Sequence, residues 1–534
     1  MKPEIERILL AGLLMLVLGA CEKDEEFLDR YNTALTTEFY YSTEDQAKEG
    51  LIGIYEVLAG QALYGWKYTM MILPADDDHV DIEGWDFDVF AASMSEHEYT
   101  MQVWKALYVG VARANYFLGK VPDIEFENDQ LKQRLIGEAS FLRALYYWHL
   151  VMVWGEVPLV TTLLSPGEGN VPKSPAEEIY KHIESDLLIA EANLWLRSEY
   201  PLEDLGRATK GAAQALLGKL YLFWKKYDLA EEKLSNVIHS GEYNLIQSSA
   251  ANPDYYAHAY AFASVFSEIP LRGTGGENNA ESVFEIQYSS WVGLPFGHWF
   301  ELGDGANTTL REYVMGLPQV GGWQKVLPAK DLVDSYEPDD PRIFATAWRV
   351  GDTLYADATP ESDYAQFVGD IYLRGSRTGY HSKKGLYPPF PTDTRTDVKH
   401  GENNLRFLRY ADVLLMYAEA VYHTGNDNPE KYMDMVRGRV GLEPVSTLMA
   451  QNNWEIPEAI MHERRLELAG EYHRFYDLRR YREKGWIEQM SDFIHGTDKD
   501  GNRLTTFVDG KNEYFPLPSS EVDLNKALEQ NPNY

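Results

Sequence analysis

Residues 208–239 admit few folds. Leu217 and Gly218, then Tyr221, Ala230, Leu234 and Val237, fall on the apolar and small sites of a helix–turn–helix repeat of the tetratricopeptide kind. One such unit cannot bury its apolar face alone and needs neighbouring hairpins to cover it. The chain supplies them. Ser42 or Thr43 can cap a helix carrying Ala47, Leu51, Ile54 and Leu58, with Glu44 and Asp45 in its first turn. Val103, Leu107, Val111 and Ala114 mark a second helix, residues 129–154 a long third and residues 176–196 a fourth.

The stretch 405–484 adds another hairpin and a helix of unusual composition. Leu408, Ala411, Leu415, Ala418 and Tyr422 draw one apolar stripe down a helix opening at Leu405. Thr424-Gly-Asn-Asp-Asn-Pro429 ends it and starts the next, since Gly suits a C-cap and Pro a first turn. A third helix is expected from about Pro457 unbroken to Tyr481. Its charges are too dense for a core and too interleaved with Leu468, Phe475 and Leu478 for a free surface, so Glu/Asp–Arg pairs against neighbouring helices should hold it. Between 241 and 404 Gly, Pro, Asn and Asp are frequent; Ser282-Val-Phe-Glu-Ile-Gln-Tyr288 alternates like a strand, and a short helical piece falls near 329–336. The expected fold is mainly α. About four tetratricopeptide-like hairpins build a superhelical scaffold over about 42–240 and 405–484, a loop-rich, largely irregular part over about 241–404 carries the binding surface, and a tail follows over 485–534. Periodicity leaves open whether the hairpins form one continuous superhelix.

Three motifs carry a family resemblance: Arg409-Tyr-Ala-Asp-Val-Leu-Leu-Met-Tyr-Ala-Glu-Ala420, Arg437-Gly-Arg-Val-Gly-Leu442, and Glu463-Arg-Arg-Leu-Glu-Leu468 with His473-Arg-Phe-Tyr-Asp-Leu-Arg-Arg480. In this order they resemble the SusD/RagB family of outer-membrane nutrient-binding lipoproteins of Bacteroidetes, as does the ending Gln530-Asn-Pro-Asn-Tyr534. The chain departs from the pattern at Tyr472, where the family usually carries Gly. These motifs read as fold-holding rather than ligand-touching.

Compartment follows from the chain start. Lys2 and Arg7 flank a polar opening, residues 8–18 are apolar, and Leu18-Gly-Ala-Cys21 follows. The run is too short to span a bilayer and reads as an export signal over residues 1–20. Leu-Gly-Ala-Cys resembles a lipobox, so Cys21, the chain's one cysteine, becomes the lipidated first residue of a single mature domain over 21–534. Glu22-Lys-Asp-Glu-Glu26 resembles the acidic tag of surface lipoproteins. The expected location is the cell surface of the outer membrane, held by lipid alone. With 49 basic against 83 acidic residues the net charge is −34, a field that repels nucleic acid and anionic membrane.

No catalytic motif is present: there is no Gly-x-Ser-x-Gly elbow, no phosphate loop and no His-Glu-x-x-His, and Asp498-Lys-Asp-Gly-Asn502 reads as a polar turn. No enzyme activity, cofactor or metal is expected. Binding has better support. Sugars pack their C–H faces on aromatic rings and offer hydroxyls to carboxylates, amides and guanidinium groups. The chain is rich in Tyr (36) and Trp (13), and two regions combine those groups. One is the acidic loop from Pro74 to Asp88, with Asp77 and Trp85. The other runs from Gln287 to Trp299, with Tyr288, Trp291 and Trp299, and Trp323 follows. The resemblance implies that ligand is gripped by loops corresponding to these two, and that the partner is a TonB-dependent, SusC-like barrel. The expected function is capture of an oligosaccharide, neutral because of the acidic field, and its delivery to that barrel. The alternative is a peptide or other nutrient binder of the same fold, and a lipid-anchored glycoside hydrolase ranks last.

Overall fold

The computed structural model describes residues 41–534 other than 76, 81–84, 166, 269, 272, 289–308, 316–322, 350–375, 385–400, 402 and 495. The export signal, Cys21 and its acidic run, Trp291 and Trp299 lie outside the described residues.

The helices are α1 (Glu44–Ala59), α2 (Lys67–Ile72), α3 (Glu98–Lys120), α4 (Asp129–Trp154), α5 (Ala176–Asn193), α6 (Lys210–Phe223), α7 (Tyr227–Ile238), α8 (Tyr255–Ser264), α9 (Arg311–Met315), α10 (Lys330–Asp334), α11 (Arg342–Thr346), α12 (Tyr410–Thr424), α13 (Pro429–Arg439), α14 (Val445–Asn452), α15 (Ile456–Glu467), α16 (Arg474–Lys484) and α17 (Ser519–Leu524). Local chemistry sets their ends. The Thr43 side chain accepts from the Gln46 N–H, Asn128 caps α4 through the N–H groups of Gln130 and Leu131, and Gly425, at φ 72°, closes α12.

Helices α3 to α7 pack each on the next, and α7 then packs on α12, which continues to α13. The scaffold is thus mainly helical, and its stack passes from residue 238 to residue 410 across space while the loop-rich part is inserted beside it. Close packing explains the small residue of the repeat: a Cβ at Gly218 would sit 2.4 Å from Leu234 Cγ, so any larger residue would push α6 off α7. One continuous apolar core reaches from Ala47 in α1 to Leu528 in the tail. The tail is pinned to α4, with Trp154 Nε1 donating to the Pro516 carbonyl (3.0 Å) and Asn531 Nδ2 donating to that of Trp154 (2.8 Å).

The described strands form four two-stranded antiparallel ribbons: β1 (Asp78–Val80) with β5 (Val326–Pro328), β2 (Val157–Pro158) with β3 (Lys173–Ser174), β4 (Ser282–Ile286) with β8 (Leu405–Arg409), and β6 (Ala347–Trp348) with β7 (His381–Ser382). The strand expected at 282–288 is therefore present. Residues 405–409, expected as the opening turn of a helix, are a strand instead. They pair with β4 (Ile286 opposite Leu405), and α12 begins only at Tyr410.

The charged segment is likewise two helices rather than one. Between α15 and α16 the chain turns through Gly470 (φ 68°) and Tyr472 (φ 67°), both left-handed. Glycine takes that conformation without strain, whereas a tyrosine there costs of order 1 kcal/mol or more. The expected ion pairs do hold these helices. Arg409 lies 2.6 Å from both Glu467 and Glu471. Arg439 bridges Glu281 and Glu467, and Arg464 bridges Asp412 (2.8 Å) and Asp477 (2.9 Å). All are buried. Asp412, Glu467, Glu471 and Asp477 keep their charge because guanidinium or ammonium groups outweigh the desolvation that opposes it.

Candidate functional site

The β1–β5 ribbon organises the site. Val80 lies opposite Val326 and Asp78 opposite Pro328, so the chain leaving β1 and the chain entering β5 share one end of the ribbon. Trp85 follows Val80 by five residues and Trp323 precedes Val326 by three. The turn after Trp85 is tied back by Asp88, which lies 2.8 Å from His79 Nδ1 and accepts from the Val80 N–H (3.3 Å). Burial raises the Asp88 pKa and the His79 partner opposes that rise.

Trp85 is half-buried. Its ring meets His97, Tyr99 and Phe87 at centroid distances of 5.1, 5.5 and 5.6 Å, and its Nε1 is buried with no hydrogen-bond acceptor among the described residues. Trp323 is the outward partner. At 43% exposure it is the most open tryptophan among the described residues, with the Lys325 ammonium 5.6 Å from its ring. Lys325 N–H donates to the Val314 carbonyl (2.8 Å), and the Gln324 side chain hydrogen-bonds the His381 ring. The ribbon end, α9 and β7 are thereby joined. Burial pushes the His381 pKa down to about 4, so the ring is neutral at pH 7.

Beside this junction lies a small, partly open cavity lined by Arg311, Met315, Ser382, Lys384, Asn404 and Tyr472 among others. Tyr288 stands against it. Its N–H donates to Asn404 Oδ1 (2.8 Å), the Arg311 guanidinium is 5.6 Å from its ring, and burial keeps its hydroxyl protonated. The ring is only 8% exposed, so Tyr288 forms wall rather than platform.

The ribbon therefore carries Trp85 and Trp323 on the chains at one of its ends, Tyr288 contacts Asn404 and Arg311 of the cavity, and Asp77 lies at the ribbon's other end. Most of the described acids of the acidic loop are withdrawn from solvent. Asp77 and Asp78 are buried, and Asp77 sits at the far end of β1. Both Asp77 oxygens meet Arg465 (2.8 Å each), Arg474 Nε is 3.2 Å away, and the Asp77 carbonyl accepts from the Ala329 N–H. That carboxylate ties α15 and α16 to the ribbon. Sequence reasoning missed Arg311, Ser382 and Lys384, which belong to no motif and reach the cavity only through tertiary packing.

One group has the composition of a metal site: Glu337, His462 and Glu463 place ligand atoms within 4.8 Å of one another. Arginines already occupy its carboxylates. Arg437 lies 2.7 Å from Glu337 and also pairs with Glu463, which Arg342 meets at 3.0 Å. Residues 498–502 form the expected polar turn, with Asp498 Oδ1 accepting from the N–H groups of Asp500 and Asn502.

Two family models match the chain. The SusD family model matches residues 280–534, and one described as starch-binding, associating with outer membrane, matches residues 26–222. A SusD-like protein of Formosa agariphila is 25% identical over 558 residues, covering 96% of each chain. The starch-binding protein SusD of Bacteroides thetaiotaomicron is 23% identical over 478 residues, covering 82% of this chain and 78% of that one. Among solved structures, a laminarin-binding SusD-like protein matches with a TM-score of 0.70 at 28% identity, covering 92% of this chain and 100% of that one.

Proposed function

We infer function from the premise that this chain belongs to the SusD family. The reading is a cell-surface lipoprotein, anchored through Cys21, that captures an oligosaccharide and passes it to a TonB-dependent, SusC-like barrel in the outer membrane. It binds its ligand without turning it over. Relatives named for laminarin and starch support a glycan as the ligand class. The observation that carries the reading is the exposed Trp323 at one end of the β1–β5 ribbon, the end from which the chain to Trp85 also leaves, joined through Gln324 and Lys325 to β7 and α9, which line a polar cavity. Trp323 offers the exposed ring that a sugar covers, and the half-buried Trp85 offers what its packing on Phe87, His97 and Tyr99 leaves open. The net charge of −34 favours a glycan whose backbone is neutral. Isothermal titration against β-glucan and starch oligosaccharides, acidic oligosaccharides and peptides tests it. Saturable heat with one glycan class, lost in Trp323→Ala, is expected; binding confined to peptides would replace the reading with the peptide one.

A further inference from the structure

The cavity beside Tyr288 has a charge that the rest of the molecule does not predict. In a chain of net charge −34, its lining carries Arg311, Lys384 and Arg406 against the single carboxylate of Glu471. Two of those cations are already matched. Lys384 lies 2.7 Å from Glu471 and donates to the carbonyls of Glu467 and Ala469, and Arg406 lies 3.2 Å from Glu285. Arg311 is not. It is 7% exposed, its Nε donates to Thr309 Oγ1 (3.2 Å) and its Nη2 to the Asn403 carbonyl (2.6 Å), and it forms no ion pair with a described carboxylate. A buried guanidinium without a counter-charge is costly, and chains retain one where an anion comes to meet it. Ser382, whose hydroxyl makes no hydrogen bond among the described residues, lines the same cavity and can donate to the same anion.

We propose that this cavity is a subsite for one anionic oxygen group on the captured glycan, a uronate carboxylate or a sulfate ester, held by Arg311 with Ser382 as second donor. The proposal rests on the glycan reading and sharpens it: the backbone of the ligand is neutral and carries an isolated acidic substituent. The acidic field opposes a polyanion but is screened beyond about 8 Å, so it leaves a single charge inside this cavity to the local cations. Planar, two-pronged recognition is what separates a guanidinium from an ammonium here.

The test uses the full mature chain. Thermal melts with sodium glucuronate, sodium sulfate and glucose, against sodium chloride at matched ionic strength, read the cavity through the part of the shift that Arg311→Met or Arg311→Lys reduces, because a ligand that binds only the folded state raises the melting temperature while sulfate also stabilises folded proteins generally. Titration with a neutral oligosaccharide and its counterparts bearing one glucuronate or one sulfate reads it in context. The acidic counterpart should bind about tenfold more tightly than the neutral one, and the arm that responds identifies the group. Arg311→Met should bring the ratio of acidic to neutral affinity to about one. Should that variant fail to fold, Arg311→Lys keeps the charge, loses the fork and should retain only a reduced preference. A wild-type protein that treats glucuronate and sulfate like glucose, or a preference unchanged in Arg311→Lys or surviving in a folded Arg311→Met, overturns the proposal. An Arg311-dependent shift with free glucuronate in a protein that binds no oligosaccharide would instead sink the glycan reading and leave the anion site standing.

Discussion

Val80 and Val326 face each other across the β1–β5 ribbon, and that one pairing sends Trp85 and Trp323 off the same end of it. The two rings have different duties, and substitution should separate them. Trp323→Ala should weaken glycan binding by roughly 1–3 kcal/mol, the range for losing an aromatic anchor, with little change in melting temperature because the ring is largely open. Trp85→Ala should weaken binding to a similar degree and also lower the melting temperature, since its ring packs on Phe87, His97 and Tyr99. Calorimetric titration and thermal melts of both variants check this. Unchanged affinity in both would remove the ribbon end from the site.

Arg464 should matter for stability alone. It is buried between Asp412 and Asp477, and truncating it leaves those two buried carboxylates with only Lys219 and Arg480, respectively, of the cations that meet them at salt-bridge distance. Removing one member of such a cluster costs about 3–5 kcal/mol. Chemical denaturation of Arg464→Ala should report that loss while glycan affinity per folded molecule stays at the wild-type value. A variant of normal stability that had lost only binding would contradict the assignment.

Acid should unfold the protein in two stages. His149, His381, His462 and His473 have pKa values lowered by burial, to about 3 for His149 and about 4 for the others. The unfolded chain takes up those protons first, so stability falls once the pH drops below about 6.5. Glu463, Glu467, Glu471, Asp412 and Asp477 have pKa values depressed by their cationic partners against the opposing effect of burial. Their contribution is fully present above the unfolded values near 4 and is lost as pH falls through the folded ones. Denaturation free energies from pH 7 to 3 should decline throughout and steepen below about 4; a profile flat from 7 to 5 would mean the histidines take up protons in the folded state as readily as in the unfolded one.

Cys21→Ser should release the protein from the outer membrane without unfolding it. Two acyl chains give stable anchoring, and no described helix is long and apolar enough to cross a membrane. Fractionation of cells lacking the transporter partner is the measurement, and a Ser variant that still pelleted with outer membranes would refute lipidation at Cys21.

The scaffold was legible because helix periodicity is local. Asp129 to Trp154 was readable to the residue from its apolar spacing and its ends. The errors lie where a distant partner decides the outcome. Leu405 to Arg409 abut a helical stripe with nothing between, and only pairing with β4 makes them a strand. Asp77 looked solvated because the arginine that neutralises it stands 388 residues away. The turn at Gly470 and Tyr472 was hidden because tyrosine gives no sign of a left-handed backbone. Of the candidate site, Trp85 and Trp323 could be chosen from composition and chain order, but that their chains leave one end of a common ribbon depends on the pairing of residues 80 and 326. Arg311 had no signal at all.

The β4–β8 ribbon also dictates an order of events. Glu281 and Arg409 meet across 128 residues, whereas the hairpins from α3 to α7 close over short connections. Ends that far apart find each other slowly, because the entropy of closing the loop comes before any contact rewards it. The helices up to Ile238 can therefore assemble while α7 still lacks α12 against its free side. That open flank is a waiting dock, and β8, leading straight into α12, is the piece that fills it. The segment between, which carries Trp323 and Arg311, is drawn into its loop only at that last closure. A surface that draws on that segment is complete only once residue 405 has returned to residue 286.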